Sequence, residues 1–343
     1  MPGNCINDSN ACIGSLDRFP HRKCVLFLWA VLLHLVFPEV RLCQFKRPIL
    51  FKVIPMNQTP DAQKNRMLTV LAHPDDETFG MGGTLALYAR KGVDVHLICA
   101  TRGELGDIDP EFKVRIHSAA CLRTQELRCA AEVLGIKELH FLNYRDSGMP
   151  RSEANRHPKA LAAQPVEQVA GEVAHLIRKI RPKVVITFDP IGGYRHPDHI
   201  AMHQATVRAF FLAGDEAFCD PENLPAFQPE KLFFHTINRN FIKAAVWALR
   251  LSGQDPHRFG RNKDIDLASI AEVDFPAHVK IDYREVNDIR KAAAACHASQ
   301  GGASMDKGVR GLISRLFAGR FETFMQAYPE PKAKQKVKRD LFE

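Results

Sequence analysis

From Met67 onward the chain alternates short, wholly apolar runs with segments of helical period, and no other feature restricts its fold so strongly. Residues 68–72, 93–100, 139–142, 184–188 and 232–237 read as strands. Between them, residues 84–91, 113–134, 166–180 and 200–211 read as helices. In 113–134 the apolar positions 116, 119, 120, 127, 130, 131 and 134 follow the helical repeat. Gly135 supplies a left-handed stop, and Pro182 ends the next helix. The run 184–188 is apolar without alternation, the pattern of a strand buried on both faces at the centre of a parallel sheet. Strands and helices in this order predict a Rossmann-like α/β fold: a mostly parallel, doubly wound sheet with right-handed crossovers. Residues 284–326 read as helical and predict a C-terminal helical addition.

Composition narrows the class further. Of 343 residues, 45% are hydrophobic and 25% charged, which is globular and excludes wholesale disorder or coiled coil. The net charge of +8 lies partly in the tail PKAKQKVKRD at 331–340, a solvated run without any nucleic-acid motif. No nucleic-acid partner is therefore expected. Nine cysteines, an odd number with no Cys-x-x-Cys spacing, read neither as a disulfide framework nor as a zinc ribbon; Cys99 reads as a packed thiol. Four of the nine fall in the first 43 residues, which marks that end as different from the body. There the run CVLFLWAVLLHLVF at 24–37 follows Arg18, His21, Arg22 and Lys23. Its length suits a signal core and is short of the roughly 20 residues a spanning helix needs. His34 interrupts it, and no small-residue cleavage pattern follows. Residues 1–60 are expected to be an extension, with Met56 and Met67 as alternative starts, and 61–343 the functional domain. The expected location is cytoplasmic; anchoring or export through 24–37 is the alternative.

Two polar clusters follow strands. The first is His73-Pro74-Asp75-Asp76-Glu77; the second is Asp189-Pro190-Ile191-Gly192-Gly193-Tyr194-Arg195-His196-Pro197-Asp198-His199. In open parallel sheets, ligands bind where the chain leaves the carboxyl ends of strands. Either cluster alone is ordinary: Asp75 and Asp76 suit the positive end of a helix, and a single histidine suits a strand end. Brought together, so many imidazoles and carboxylates call for a cation. Two imidazoles and one carboxylate make a first-row metal site with a position left for water. Gly80, Gly82 and Gly83 do not have dinucleotide-binding spacing and read as loop and close-packing glycines.

The two clusters resemble the PIG-L/LmbE family of zinc-dependent N-deacetylases. The resemblance extends to Thr101-Arg102-Gly103-Glu104, Arg123-Thr124-Gln125-Glu126-Leu127, Tyr144-Arg145-Asp146-Ser147-Gly148-Met149 and Gly192-Gly193-Tyr194. It is strong over residues 67–240 and looks most like the bacterial branch acting on glucosaminyl-inositol or mycothiol conjugates. One departure is Arg195, where that branch commonly has glycine. The family pattern implies His73, Asp76 and His199 as metal ligands, with zinc the default and iron(II) compatible with the same donors. Asp75 diverges from its neighbour Asp76 and is expected to be the general base. His196, as an imidazolium, is expected to stabilise the oxyanion or protonate the amine, with Asp198 orienting it. Tyr194 is expected to donate to the carbonyl oxygen. Arg123, Asp146 and Glu104 match family positions facing a sugar substrate. The implied activity is removal of acetyl from an N-acetylated amino sugar or conjugate, a small-molecule partner. An amidase of larger thiol conjugates, a non-catalytic sugar-binding α/β module and an iron oxygenase are the alternatives. The presence of Asp75 beside all three ligands argues against a mere binder.

Overall fold

The computed structural model describes residues 64–108, 118–237, 239–259, 265–302, 320–333 and 335–343. The extension 1–60, with the apolar run 24–37, lies outside the described residues. No described helix is long and apolar enough to cross a membrane.

Seven strands form one sheet: β1 (Arg66–Leu71), β2 (Asp94–Thr101), β3 (Glu138–Tyr144), β4 (Val184–Phe188), β5 (Lys231–Thr236), β6 (Val279–Asp282) and β7 (Phe321–Tyr328). Their order is β3-β2-β1-β4-β5-β7-β6. The first five run parallel, so the sheet is α/β and mostly parallel. Every residue of β4 is buried, which is why its sequence carries no polar alternation. The chain winds outward from β1 through α1 (Asp76–Arg90) and α2 (Ala119–Leu134) to β3. It then crosses back through α3 (Val166–Ile180) to β4, through α4 (Pro197–Leu212) to β5, and on into α5 (Arg239–Leu251). Helix α2 ends where Gly135 takes φ 77°. α3 packs on α4, and α1 and α2 pack with α7 (Asn287–Cys296), which gives a helical layer on each face of the sheet. Winding direction reverses between β1 and β4, which are hydrogen-bonded neighbours. Their carboxyl ends therefore open the crevice that such folds use for ligands.

The C-terminal region corrects one expectation. Within 284–326 only Asn287–Cys296 forms an α-helix among the described residues, while Phe321–Tyr328 is a strand. β7 pairs antiparallel with both β5 and β6 and extends the sheet, so the C-terminal addition combines helix α7 with a strand, and residues 303–319 lie outside the described residues. Aromatic and β-branched residues in FETFMQAY suit such a strand. From β7, the Glu322 carboxylate accepts the Gly83 and Thr84 amides at 3.0 and 2.6 Å. Helix α1 departs from helical dihedrals just before them, at Met81. The cysteine reading is corrected too. Cys129 on α2 and Cys296 at the end of α7 form a disulfide, while Cys99 is a buried free thiol. A separation of 167 residues leaves no spacing signal in the sequence.

Candidate metal centre and catalytic site

Beyond β1, the chain turns sharply at Asp75, whose φ of 120° is rare for a residue with a side chain. That turn sends consecutive carboxylates to different tasks. Asp76 folds back, accepting the His73 amide at 2.8 Å, and its oxygens lie 3.5 Å from His73 Nδ1 and 3.3 Å from His199 Nε2. His73 Nδ1 and His199 Nε2 are 3.2 Å apart. A tetrahedral ion bound at about 2.0–2.1 Å would separate its donors by about 3.4 Å. The separations between His73, His199 and the two Asp76 oxygens are thus of the size that cation ligands show, and donor atoms of His73, His196 and His199, like those of His73, Asp146 and Asp198, also lie within 4.8 Å of one another.

Partners behind each imidazole turn the other ring nitrogen toward Asp76. His73 Nε2 lies 3.1 Å from Asp198 Oδ2 and 3.6 Å from Asp146 Oδ1, so Nδ1 faces the triangle. His199 Nδ1 lies 3.2 Å from the Gly192 carbonyl, which directs Nε2 there, and its ring stacks on Phe188 at 3.9 Å. Carbonyl and carboxylate partners of this kind fix the tautomer of a metal-binding histidine. Gly192 takes φ 65°, and a Cβ there would come within 2.8 Å of His199 Cβ. Asp189 steadies the same loop by accepting the Ile191 and Gly193 amides at 3.1 and 2.9 Å.

The electrostatics also favour a cation. Burial alone would lower the His73 pKa. Hydrogen bonds to Asp146, Asp198 and Asp76 outweigh it and raise the pKa well above the usual imidazole value. Burial would raise Asp76, yet His199 and His73 hold it well below the carboxylate range. Asp75 differs. Burial pushes its carboxyl from 3.8 up to about 6; Arg123, 3.1 Å away, offsets only part of this, and Asp76 adds to it. A carboxylate at about 6 beside the triangle has a basicity suited to taking a proton near neutrality.

Three expected roles are altered by this geometry. His196 sits at the N-cap of α4, where Nδ1 accepts the Asp198 amide at 3.2 Å. Burial, together with His73 and His199, lowers its pKa to about 2. The amide on Nδ1 and this lowering favour a neutral imidazole with its proton on Nε2 over the expected imidazolium. The Asp198 carboxylate does not orient His196; it holds His73 and accepts from the Ser147 amide and hydroxyl. The three expected sugar contacts are engaged by protein groups. Arg123 is buried, donating to the Gly103 and Pro74 carbonyls at 2.9 and 2.5 Å while pairing with Asp75. Asp146 accepts the Gly148 and Leu105 amides, and Glu104 accepts the Asp146 amide at 3.1 Å.

A cavity of about 400 Å³ opens on Asp75, Asp76 and His199. Tyr194 lines it, its ring 5.0 Å from that of His199, and so do Phe79, His235, Thr236 and Thr323. Sequence reasoning missed this wall because it comes from the ends of β5 and β7. It also missed Glu77 and His297, a fully buried pair 2.7 Å apart, in which Glu77 also accepts the Asp75 amide at 3.0 Å. Glu77 belonged to a motif and could have been suspected; His297, 220 residues away, carried no signal.

Comparison with known proteins fits this geometry. The family model described as PIG-L, GlcNAc-PI de-N-acetylase, matches residues 68–210. A 1D-myo-inositol 2-acetamido-2-deoxy-alpha-D-glucopyranoside deacetylase of Kineococcus radiotolerans is 35% identical over 262 residues, 72% of each chain. The chain belongs to the PIG-L family. A Thermobifida fusca relative of the same name is 32% identical over 280 residues, 78% of this chain and 94% of that protein. Membership makes the chain an N-deacetylase by class. In fold it is similar to the N,N'-diacetylchitobiose deacetylase of Pyrococcus horikoshii, with TM-score 0.52, 20% identity, and 77% and 84% of the two chains covered. It is also similar to GalB, a 4-carboxy-2-hydroxymuconate hydratase of Pseudomonas putida, with TM-score 0.51, 17% identity, and 79% and 99% covered. One fold thus serves two chemistries, and the residues of the site must carry the functional argument. The PIG-L departure at Arg195 has a local account. Arg195 takes φ 67°, a conformation natural to glycine, and donates to Ser269 Oγ and the Ser269 carbonyl at 3.2 and 3.4 Å. Its guanidinium is thus tied to α6 (Leu267–Ala271).

Proposed function

We propose that this protein is a zinc-dependent hydrolase that removes acetyl from a small N-acetylglucosamine-type conjugate, with a glucosaminyl-inositol amide as the substrate class. The observation that carries the reading is the triangle of His73 Nδ1, Asp76 and His199 Nε2, with Asp75 beside it facing an open cavity. Bound by those three donors, zinc would supply Lewis acidity toward the amide carbonyl and lower the pKa of water to about 7. Iron(II) suits the same donors.

The chain's own residues divide the remaining work. Asp75, ionised above about 6, takes the proton of the attacking water, and its carboxylate is kept in place by Arg123. The protonated carboxyl then faces the departing amine and can return that proton to it. His196 donates from Nε2 to the developing oxyanion, since the Asp198 amide occupies Nδ1. Tyr194, on the glycine loop, donates from its hydroxyl to the same oxygen. Asp198 and Asp146 hold His73, while Glu104 and Arg123 hold the loops beneath the substrate. The sugar lies against the wall from β5 and β7.

Support for the substrate class comes from relatives named for inositol 2-acetamido-2-deoxy-glucopyranoside deacetylation. A cytoplasmic location without anchoring through 24–37 completes the proposal, and fractionation of the native product tests it. The mechanism is tested by measuring zinc and turnover together. His73→Ala, Asp76→Ala and His199→Ala each lose zinc and activity, whereas Asp75→Asn keeps about one zinc while turnover falls 10²–10⁴-fold. Zinc loss in Asp75→Asn with retention in Asp76→Ala would reverse the two assignments.

A further inference from the structure

A second cluster of metal-capable side chains lies away from the catalytic crevice. His96 on β2 and Glu138 and His140 on the edge strand β3 share one face of the sheet, since His96 is in register with Glu138 and Ile98 with His140. They sit toward the amino ends of these strands, whereas the catalytic residues follow the carboxyl ends of β1 and β4. One donor atom from each of the three lies within 4.8 Å of the others. Glu138 Oε2 is 3.5 Å from His96 Nδ1 and 3.6 Å from His140 Nε2, edges close to those of the catalytic triangle. The two imidazole planes are nearly parallel, at 14°, with centroids 6.3 Å apart.

The hydrogen-bond inventory at this cluster is incomplete in a telling way. His96 is only 5% exposed, yet neither of its ring nitrogens has a hydrogen-bond partner, and His140 Nε2 also lacks one. Buried polar atoms are nearly always paired, and nitrogens left open toward one carboxylate oxygen mark a place where a ligand belongs. The nearby lysines are already engaged: Lys137 pairs with Asp94 at 2.5 Å and Lys179 with Glu222 at 3.1 Å. Glu138 is exposed, so an ion can enter from solvent.

We propose that His96, Glu138 and His140 form a second divalent-cation site, selective for borderline transition metals such as zinc, that ties the edge strand β3 to β2. Two imidazoles and one carboxylate favour zinc, cobalt or nickel over magnesium or calcium, which prefer oxygen ligands. This site is independent of the deacetylase reading, and its loss leaves the catalytic cluster intact.

The test is calorimetric titration of chelator-stripped, full-length protein with zinc and, separately, with cobalt(II). His199→Ala, which disables the catalytic site, should still bind one ion per chain more than His199→Ala/His140→Ala. His140→Ala alone should lose one ion relative to wild type while deacetylase turnover stays within about twofold. Glu138→Gln, at an exposed position that tolerates change, should weaken the same ion at least tenfold. Zinc should also raise the melting temperature of His199→Ala but not of the double variant. Equal stoichiometry in wild type, His140→Ala and Glu138→Gln would overturn the proposal.

Discussion

Replacing Asp75 by asparagine should cripple the enzyme and stabilise the metal-free protein. Burial and Asp76 raise the Asp75 carboxyl from 3.8 to about 6, against the pull of Arg123. The folded state therefore binds this proton more tightly than the unfolded chain does. Stability thus falls as pH rises from about 4 to about 6, where the unfolded chain has released the proton and the folded state still holds it; the full cost is reached above about pH 6 and vanishes below about 4. At 1.36 kcal/mol per pKa unit, the penalty at pH 8 is about 3 kcal/mol. Asparagine mimics the neutral carboxyl and can still accept from Arg123. Urea unfolding of chelated Asp75→Asn and wild type should differ in favour of the variant by about 3 kcal/mol at pH 8, still about 2.6 at pH 6, about 1.6 at pH 5, and almost nothing at pH 3. A bound cation lowers the Asp75 pKa, so the acidic limb of the turnover profile in the loaded enzyme should lie at or below about 6. No stabilisation at pH 8, or a gain independent of pH, would show that Asp75 is not the desolvated base described here.

Three further outcomes follow from the surrounding contacts. Asp198→Asn should weaken zinc binding about 10–100-fold, read by competition with a chromophoric chelator, because it loosens His73. Gly192→Ala should lower both the melting temperature and zinc affinity, since φ 65° disfavours alanine and its Cβ would displace His199. Arg195→Gly should leave kcat/KM within about twofold, measured on the same substrate, because Arg195 is bound to Ser269 and not to the cavity.

The candidate site was legible as a place in the fold where its residues are close in sequence and sit at strand ends. A uniformly buried β4 and the polar runs after β1 and β4 marked the crevice, and the pairing of those two strands brought the runs together. Roles set by hydrogen-bond direction were not legible. Nothing in His-Pro-Asp-His says that Asp198 supports His73, 125 residues away, or that its amide fixes the tautomer of His196. Arg123 matched a substrate-facing position, but only the packing of α2 against the loops at Pro74 and Gly103 shows it buried on Asp75. The strand at 321–328 was lost inside a stretch made helical in character by alanines 292–295. Its strand state depends on antiparallel partners 39 to 96 residues earlier in the chain.

The most direct measurement is acetate release from 1D-myo-inositol 2-acetamido-2-deoxy-α-D-glucopyranoside by the full-length, zinc-loaded protein, with free amine counted in parallel. The account predicts equal amounts of acetate and amine, loss of both on chelation, and recovery when about one equivalent of zinc is returned to the His73, Asp76 and His199 site. Absence of acetate from a panel of N-acetylglucosaminides, with that site shown to be filled, would contradict it.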